Sequence, residues 1–319
     1  MIAEFSCLVC SSRNWRPVGQ REYRAANLDR LPEYLRRRYR VLFEIWSPAQ
    51  TTFRATFIVC NACGFLCFTP RPTREELDAK YRFLTSQHPP DIRPAFDSIE
   101  ELKRGQAIAS LLMPNLEPGS HVLDYGGGDG RLLAPFIAGG CHGWVIDYEQ
   151  QTIPRVKHLA RTLADAPEHE SFDAVICSHV IEHLADPLST LIDLRNRMVA
   201  KGLIYVEVPM EIWRALPAKD EPVTHINFFT RDSLSTLLCR AGFDVRRCRH
   251  EAYKHPAGHI TTVVRAVASS AIKFNESRLP GAGLTRALLE PGLYQRMQQA
   301  WIHPGKSIRK LKRLVGNAK

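Results

Sequence analysis

The chain has 319 residues, 45% of them hydrophobic and 24% charged, an ordinary globular composition that excludes disorder as the dominant state and allows about two domains. No apolar run approaches the ~18 residues of a membrane span, and Met1-Ile2-Ala3-Glu4 lacks the basic-then-apolar layout of a secretory leader, so a cytoplasmic location is expected. The net charge of +10 is concentrated in residues 13–40, with nine arginines against Glu22, Asp29 and Glu33, and in the acid-free segment 301–319; the near-neutral middle disfavours a nucleic-acid groove there, because phosphate contacts need clustered Lys and Arg.

The first chemical feature is a pair of CxxC turns, Cys7-Leu8-Val9-Cys10 and Cys60-Asn61-Ala62-Cys63-Gly64. Each places two thiolates near one point, and Gly64 lets the backbone fold back toward the sulfurs. Four soft ligands complete a closed tetrahedral zinc site, which is expected to be structural because no coordination position stays open. The 49 residues between the pairs exceed the usual zinc-ribbon spacing. Cys67 is a substitute ligand on this reading. Cys141, Cys177, Cys239 and Cys248 sit in apolar sequence and are expected to be small core residues.

Downstream, His121-Val122-Leu123-Asp124 is a short strand pattern, followed by Tyr125-Gly126-Gly127-Gly128-Asp129-Gly130 and the helical run from Arg131 to Ile137. Strand, glycine turn and helix in that order open a doubly wound α/β domain. Arg131 stands where a dinucleotide fingerprint would place its third glycine, and no Lys-Ser or Lys-Thr follows the loop as a phosphate-binding P-loop requires. Gly143–Asp147 is a second strand ending in an acid, 23 residues beyond Asp124, a placement suited to ribose hydroxyls. Ser171–Cys177 is a third. Asp186-Pro187 opens a helix expected to reach Val199 and to stop at Lys201-Gly202. Leu203–Val208 reads as a buried strand, Thr230 caps a further helix that Gly242 stops, and strands near 243–249 and 260–267 complete the sheet.

These residues carry a resemblance. Asp124-Tyr125-Gly126-Gly127-Gly128-Asp129-Gly130 is similar to the D-x-G-x-G-x-G signature of class I S-adenosylmethionine-dependent methyltransferases. Asp147 matches that family's ribose-binding acid. Phe172–Val175 with Val180–Pro187 resembles its fourth-strand block, and His225-Ile226-Asn227-Phe228-Phe229-Thr230 resembles its H-x-x-F-F-[ST] block. The N-terminal stretch, Cys60–Gly64 with Thr69–Leu77, resembles the zinc-binding module of bacterial sugar-nucleotide C-methyltransferases. Where that subgroup carries Y-x-Y, this chain has Tyr81-Arg82-Phe83.

The resemblance implies a Rossmann-like methyltransferase sheet preceded by a small zinc module. The division expected is a zinc module over 1–72, a helical linker over 73–100, the methyltransferase domain over 101–268 and a basic helical extension over 269–319. S-adenosylmethionine and a structural Zn²⁺ are the cofactors implied. Asp124, Gly126, Gly128, Gly130, Asp147, Cys177, Ser178 and His179 would contact S-adenosylmethionine, and Cys7, Cys10, Cys60 and Cys63 would hold zinc. His225 is the candidate general base, because histidine titrates near neutral pH and this one precedes an aromatic block expected to border the acceptor pocket. Glu182 and His183 read as shaping the turn into the Asp186 helix. The expected acceptor is a small molecule, with a sugar or sugar derivative favoured by resemblance alone. The alternatives are an RNA or protein substrate, kept open by Arg36-Arg37-Arg38, and a non-catalytic cofactor-binding module. Trp301, Ile308, Leu311 and Val315 share a helix face opposite the basic residues, so weak contact with an anionic membrane surface is a further expectation, beside docking on the core.

Overall fold

A computed structural model describes residues 5–26, 28–86, 98–168, 170–212, 216–254, 260–270 and 283–289. The expected amphipathic tail at 301–319 lies outside the described residues. The N-terminal part begins with β1 (Trp15–Arg24), α1 (Glu33–Arg40) and a π-helical turn at Val41–Trp46, followed by β2 (Thr52–Cys60) and β3 (Leu66–Thr69). β1 and β2 pair antiparallel with Trp15 opposite Cys60. That register brings the two CxxC turns to the same end of one hairpin. The 49 residues between them are the hairpin and its helical excursion, so the unusual spacing needs no long free loop.

Next come α2 (Arg74–Ser86), α3 (Ser98–Leu112), β4 (His121–Tyr125), α4 (Ala134–Ala138), β5 (His142–Ile146), β6 (Val156–Ala160), β7 (Phe172–Ser178), α5 (Pro187–Asn196) and β8 (Met198–Pro209). The described chain then adds β9 (Asn227–Phe228), α6 (Arg231–Arg240), β10 (Asp244–Lys254), β11 (Ile260–Ser269) and α7 (Gly283–Leu289). Seven strands form a sheet in the order β10-β11-β8-β7-β4-β5-β6. The strands from β6 to β8 pair parallel, and β11 runs antiparallel to both β8 and β10. The parallel strands read as apolar runs because both faces are covered. The strand order reverses at β4, and a crevice at the carboxyl ends of strands there is where such sheets take ligands.

Helix boundaries follow their caps. The Asp186 carboxylate accepts the Ser189 backbone N–H at 3.0 Å, with Pro187 at the first helical position. Thr230 and Ser233 cap α6 reciprocally. The α5 helix ends at Asn196, not Val199, and Lys201-Gly202 lies inside β8 instead of stopping a helix. The reason is lateral pairing: Met198 already sits opposite Phe172, while Lys201 donates to the Ser270 carbonyl and Gly202 accepts from the Ser270 N–H. β6 has no counterpart in the sequence reading; its Val-Lys-His-Leu-Ala is too short and mixed to announce a strand.

The N-terminal sheet is not a free-standing module. Its order is β1-β2-β3-β9, and β9 belongs to the His225–Thr230 block far downstream. Phe228 and Phe229 are fully buried, with ring centroids 6.0 Å from Phe57 and 5.3 Å from Phe65. The aromatic block therefore joins the two sheets and does not border an acceptor pocket. Burying each such ring contributes on the order of 1.5–3 kcal/mol. The Arg71 guanidinium adds bonds to the Ile226 carbonyl and the Asn227 side chain, which itself donates to the Ile181 and Leu184 carbonyls.

Candidate active site

The glycine loop leaves the end of β4. Gly128 has φ +58°, and a Cβ built on it meets nothing within 4 Å. The backbone there therefore turns left-handed beside open space, the condition glycine meets without strain. Gly127, passed over in the sequence reading, is needed for a different reason: a side chain on it would overlap the Asp124 carboxyl group directly beneath. Gly126 packs against Val180, and Gly130 against Val145 and Val156. Asp147, one residue beyond β5, accepts the Gly128 N–H at 3.0 Å on one carboxylate oxygen and the Glu149 N–H at 2.8 Å on the other. It locks the loop to the end of the second strand while keeping further lone pairs for a ligand.

Asp124 is 1% exposed and one of its carboxylate oxygens has no hydrogen-bond partner. Burial pushes its carboxyl up to about 7, against the partial opposition of the Arg104 charge. Because the folded value lies above the unfolded one, the associated stability is present below pH 4 and is lost as pH rises toward 7. Asp124→Asn removes this titration. We expect the variant to gain in melting temperature over the wild type as pH goes from 4 to 8; a difference constant with pH would contradict the assignment.

The loop opens into a cavity of about 890 Å³. Tyr125, Gly126, Asp147 and Tyr148 line one wall, and Leu77, Asp78, Lys80, Tyr81 and Leu84 of α2 line the other. The expected linker at 73–100 thus contains a helix that covers the crevice. Tyr81 stacks on Tyr148 with centroids 5.9 Å apart. Lys80 is 3% exposed and donates to the Thr224 carbonyl at 3.3 Å; burial pulls its ammonium down to about 8.

Of the three residues expected at the end of β7, only His179 lines the cavity. Cys177 is buried within the sheet, and Ser178 is held by Arg104 and Glu207. His179 lies one residue beyond β7, where the chain has left the extended conformation of the strand. His179 adopts φ +57°, which is uncommon for a residue with a side chain. Burial lowers its imidazole, but the Glu182 and Glu207 carboxylates outweigh that and raise it to about 9.

At the same end of the cleft, His183 lines the cavity and its Nδ1 lies 2.6 Å from the Thr224 carbonyl. Burial, with the His225 and Lys80 charges nearby, holds it well below its ordinary value. His225 is not among the described residues lining the cavity. It lies beside His183, with ring centroids 4.8 Å apart, and its Nδ1 is 2.9 Å from Glu211 Oε2. Burial opposes protonation of His225, and the Glu211 carboxylate reverses this and raises it. Glu182, read from sequence as a turn-shaping residue, is 1% exposed and neither carboxylate oxygen has a hydrogen-bond partner.

The cysteines form a separate cluster. Cys7 Sγ lies 3.6 Å from Cys63 Sγ and Cys10 Sγ 3.5 Å from Cys60 Sγ, with all four within 4.8 Å of one another. Four sulfurs about 2.3 Å from one ion stand roughly 3.8 Å apart in a regular tetrahedron, so the donor set fits zinc. The turns are built alike: Ser11 N–H donates to the Cys7 carbonyl at 2.8 Å and Gly64 N–H to the Cys60 carbonyl at 2.9 Å. Ser11 and Gly64 both take positive φ. Cys67 is buried in β3 and stands outside this cluster. Cys141 and Cys177 are buried as expected, whereas Cys239 and Cys248 are partly exposed.

The Arg36–Arg38 cluster is largely consumed internally. Arg36 pairs with Glu33, Arg37 donates to the Leu84 carbonyl at 2.7 Å, and Arg38 donates to Thr224 at 2.8 Å beside Glu221. Two of the three tie α1 to the cleft instead of offering charge to a polyanion. Among the described residues no helix is long and apolar enough to cross a membrane.

Comparison with known proteins agrees with this geometry. Residues 99–247 match a family model described as a methyltransferase domain. A search of curated proteins finds no match. Among solved structures, the chain is similar to the 1,6-didemethyltoxoflavin-N1-methyltransferase of Burkholderia thailandensis with bound S-adenosylhomocysteine. The two are 17% identical over 65% of this chain and 96% of that one, with a TM-score of 0.50. A SAM-dependent methyltransferase from Methanosarcina mazei is 15% identical over 50% of this chain and 97% of that one, with a TM-score of 0.42. The N-methyltransferase NodS from Bradyrhizobium japonicum is 14% identical over 56% of this chain and 89% of that one, with a TM-score of 0.40. Residues 99–247 therefore form a class I S-adenosylmethionine-dependent methyltransferase domain, and the chain that carries it is a methyltransferase.

Proposed function

We propose that this methyltransferase acts on a small-molecule acceptor held between the sheet and α2. We also propose that Cys7, Cys10, Cys60 and Cys63 bind one structural zinc ion. The observation that carries the acceptor reading is the covering of the strand ends by α2, which leaves a walled cleft of about 890 Å³. That volume is within the usual ~300–1,000 Å³ of small-ligand sites. The internal use of Arg37 and Arg38 argues against an RNA acceptor. A sugar or sugar-derived acceptor is what the N-terminal resemblance supports, although Phe83 lacks the hydroxyl of the second aromatic in that subgroup.

S-adenosylmethionine supplies an electrophilic methyl group when bound. On this reading Asp147 holds the ribose, the loop from Gly126 to Gly130 lies against the methionine portion, and Asp124 orients the loop from below. Ser178 and Cys177 contribute through backbone and packing, and His179 faces the cleft. α2 excludes water, with Tyr81 stacked over Tyr148. At the far end the neutral His183 faces the acceptor space, and His225, aligned by Glu211, stands beside it to assist removal of the acceptor's proton. Positioning of this kind supplies a large share of the catalytic effect.

Calorimetric titration of the full chain with S-adenosylmethionine and S-adenosylhomocysteine tests the cofactor assignment before any acceptor is identified. One site for each is expected, and folded protein that binds neither would overturn the reading. His225→Ala should retain cofactor affinity and melt near the wild type while turnover falls about 10²–10⁴-fold, as for lost acid–base catalysis. A variant that melts early and binds cofactor poorly would assign His225 to the fold instead.

A further inference from the structure

We propose that Glu182, His183 and His225 form a second metal site, for a divalent transition-metal ion at the acceptor end of the cleft. One ligand atom from each of the three lies within 4.8 Å of the others. Ligands about 2.1 Å from a common ion stand roughly 3.4 Å apart in tetrahedral geometry, so small side-chain rotations complete the set. Three features of the surroundings point to an ion and not to simple packing.

The first is Glu182. Its carboxylate is buried and neither oxygen has a hydrogen-bond partner; the nearest ring nitrogens are His179 Nδ1 at 3.4 Å and His183 Nε2 at 3.8 Å. The His179 charge offsets the carboxylate in part, but neither oxygen is hydrogen-bonded, and buried charges are found paired and hydrogen-bonded or on metals. The second is the engagement of the outer ring nitrogens. His183 Nδ1 is taken by the Thr224 carbonyl and His225 Nδ1 by the Glu211 carboxylate. A ring N–H donated outward to a carbonyl or carboxylate fixes the tautomer and frees the other nitrogen's lone pair, the arrangement that supports metal-bound histidines. The third is position. His183 lines the cavity, so three protein ligands leave coordination positions open toward the acceptor.

Two imidazoles and one carboxylate suit Zn²⁺, Co²⁺, Fe²⁺ or Mn²⁺. Lys80 shares the Thr224 carbonyl with His183, so the ion would sit beside a cation, and its hold depends on the negative charges of Glu182 and Glu211. The inference rests on the small-acceptor reading only for what the ion would face, and it makes His225 a ligand in place of the general base, because both its ring nitrogens would be engaged; metal binding itself is independent of that reading.

The test is titration of Co²⁺ into the full-length protein, with bound metal counted by elemental analysis and the visible spectrum recorded. We expect one equivalent of cobalt whose ligand-field bands appear without thiolate-to-cobalt charge transfer, because no sulfur is in this set. Glu182→Gln should lose that equivalent. Glu211→Gln, which leaves all three ligands in place, should weaken it about 10–100-fold. S-adenosylhomocysteine affinity measured on each variant reports that the fold and cofactor site are intact. Cobalt bound only with thiolate charge transfer would overturn the proposal, as would a sulfur-free equivalent unchanged by both substitutions. A wild type that binds cofactor but no such cobalt would refute the second site and leave the methyltransferase reading standing.

Discussion

Replacing Cys60 with Ser is expected to release the metal and loosen the whole N-terminal sheet. Cys60 is both a member of the sulfur cluster and the last residue of β2, opposite Trp15. Structural zinc contributes about 10–16 kcal/mol of apparent binding free energy in small domains. The effect here is smaller, because β3 and β9 also tie the sheet to the methyltransferase domain. A loss of roughly 5 kcal/mol would still lower the melting temperature by about 10 °C or more. Zinc content should fall from about one equivalent to near zero, and amide exchange should rise across β1, β2 and β3. Because Phe65 packs on Phe229 of the His225 block, the proposed acceptor end of the cleft should loosen as well, while cofactor affinity, assigned here to Asp147 and the glycine loop, should stay near the wild type. Wild-type protein without zinc, or a variant that keeps its full complement, would contradict the assignment.

The second large effect is expected at the glycine loop. Gly128→Val places a β-branched side chain at φ +58°, a conformation that costs roughly 1–2 kcal/mol for a residue with a Cβ. It also fills space that is open beside the loop. Relief of the strain would move the Gly128 N–H away from Asp147 and so disturb the acid proposed to hold the ribose. Cofactor affinity should fall more than hundredfold. Asp147→Ala should cost less, about 1.5–3 kcal/mol, the range for a hydrogen bond to a charged group. Calorimetry on both variants checks the order: Asp147→Ala weaker than the wild type, and Gly128→Val weaker still. Equal affinities for Gly128→Val and the wild type would mean that the cofactor does not approach this loop.

The parallel sheet was legible because its signals are local. Asp124 with the glycines, Asp186-Pro187 at a helix start, and Thr230 with Gly242 bracketing α6 each state a backbone requirement within a few residues. What stayed hidden depends on contacts distant in sequence. Nothing near Asn227 announces that it pairs with Cys67 across the chain, and nothing near Arg74 announces that α2 covers the strand ends. The His225 block reads as a pocket border because it is aromatic, yet Phe228 and Phe229 are aromatic for the sake of the joint between two sheets. Glu182 and His183 read as turn residues because Asp186-Pro187 follows them, although their side chains converge with His225. The long gap between the CxxC turns was resolved by the register of one hairpin, which periodicity alone does not give.

Every catalytic role proposed for the cleft under α2 depends on the transfer of a methyl group to a small acceptor there. It is tested most directly by incubating the full-length protein with S-adenosylmethionine labelled on the methyl group and a cell extract separated into small-molecule, RNA and protein fractions. Label is expected in the small-molecule fraction, and Gly128→Val should abolish the transfer. Label confined to RNA or protein, or small-molecule label unaffected by Gly128→Val, would contradict it.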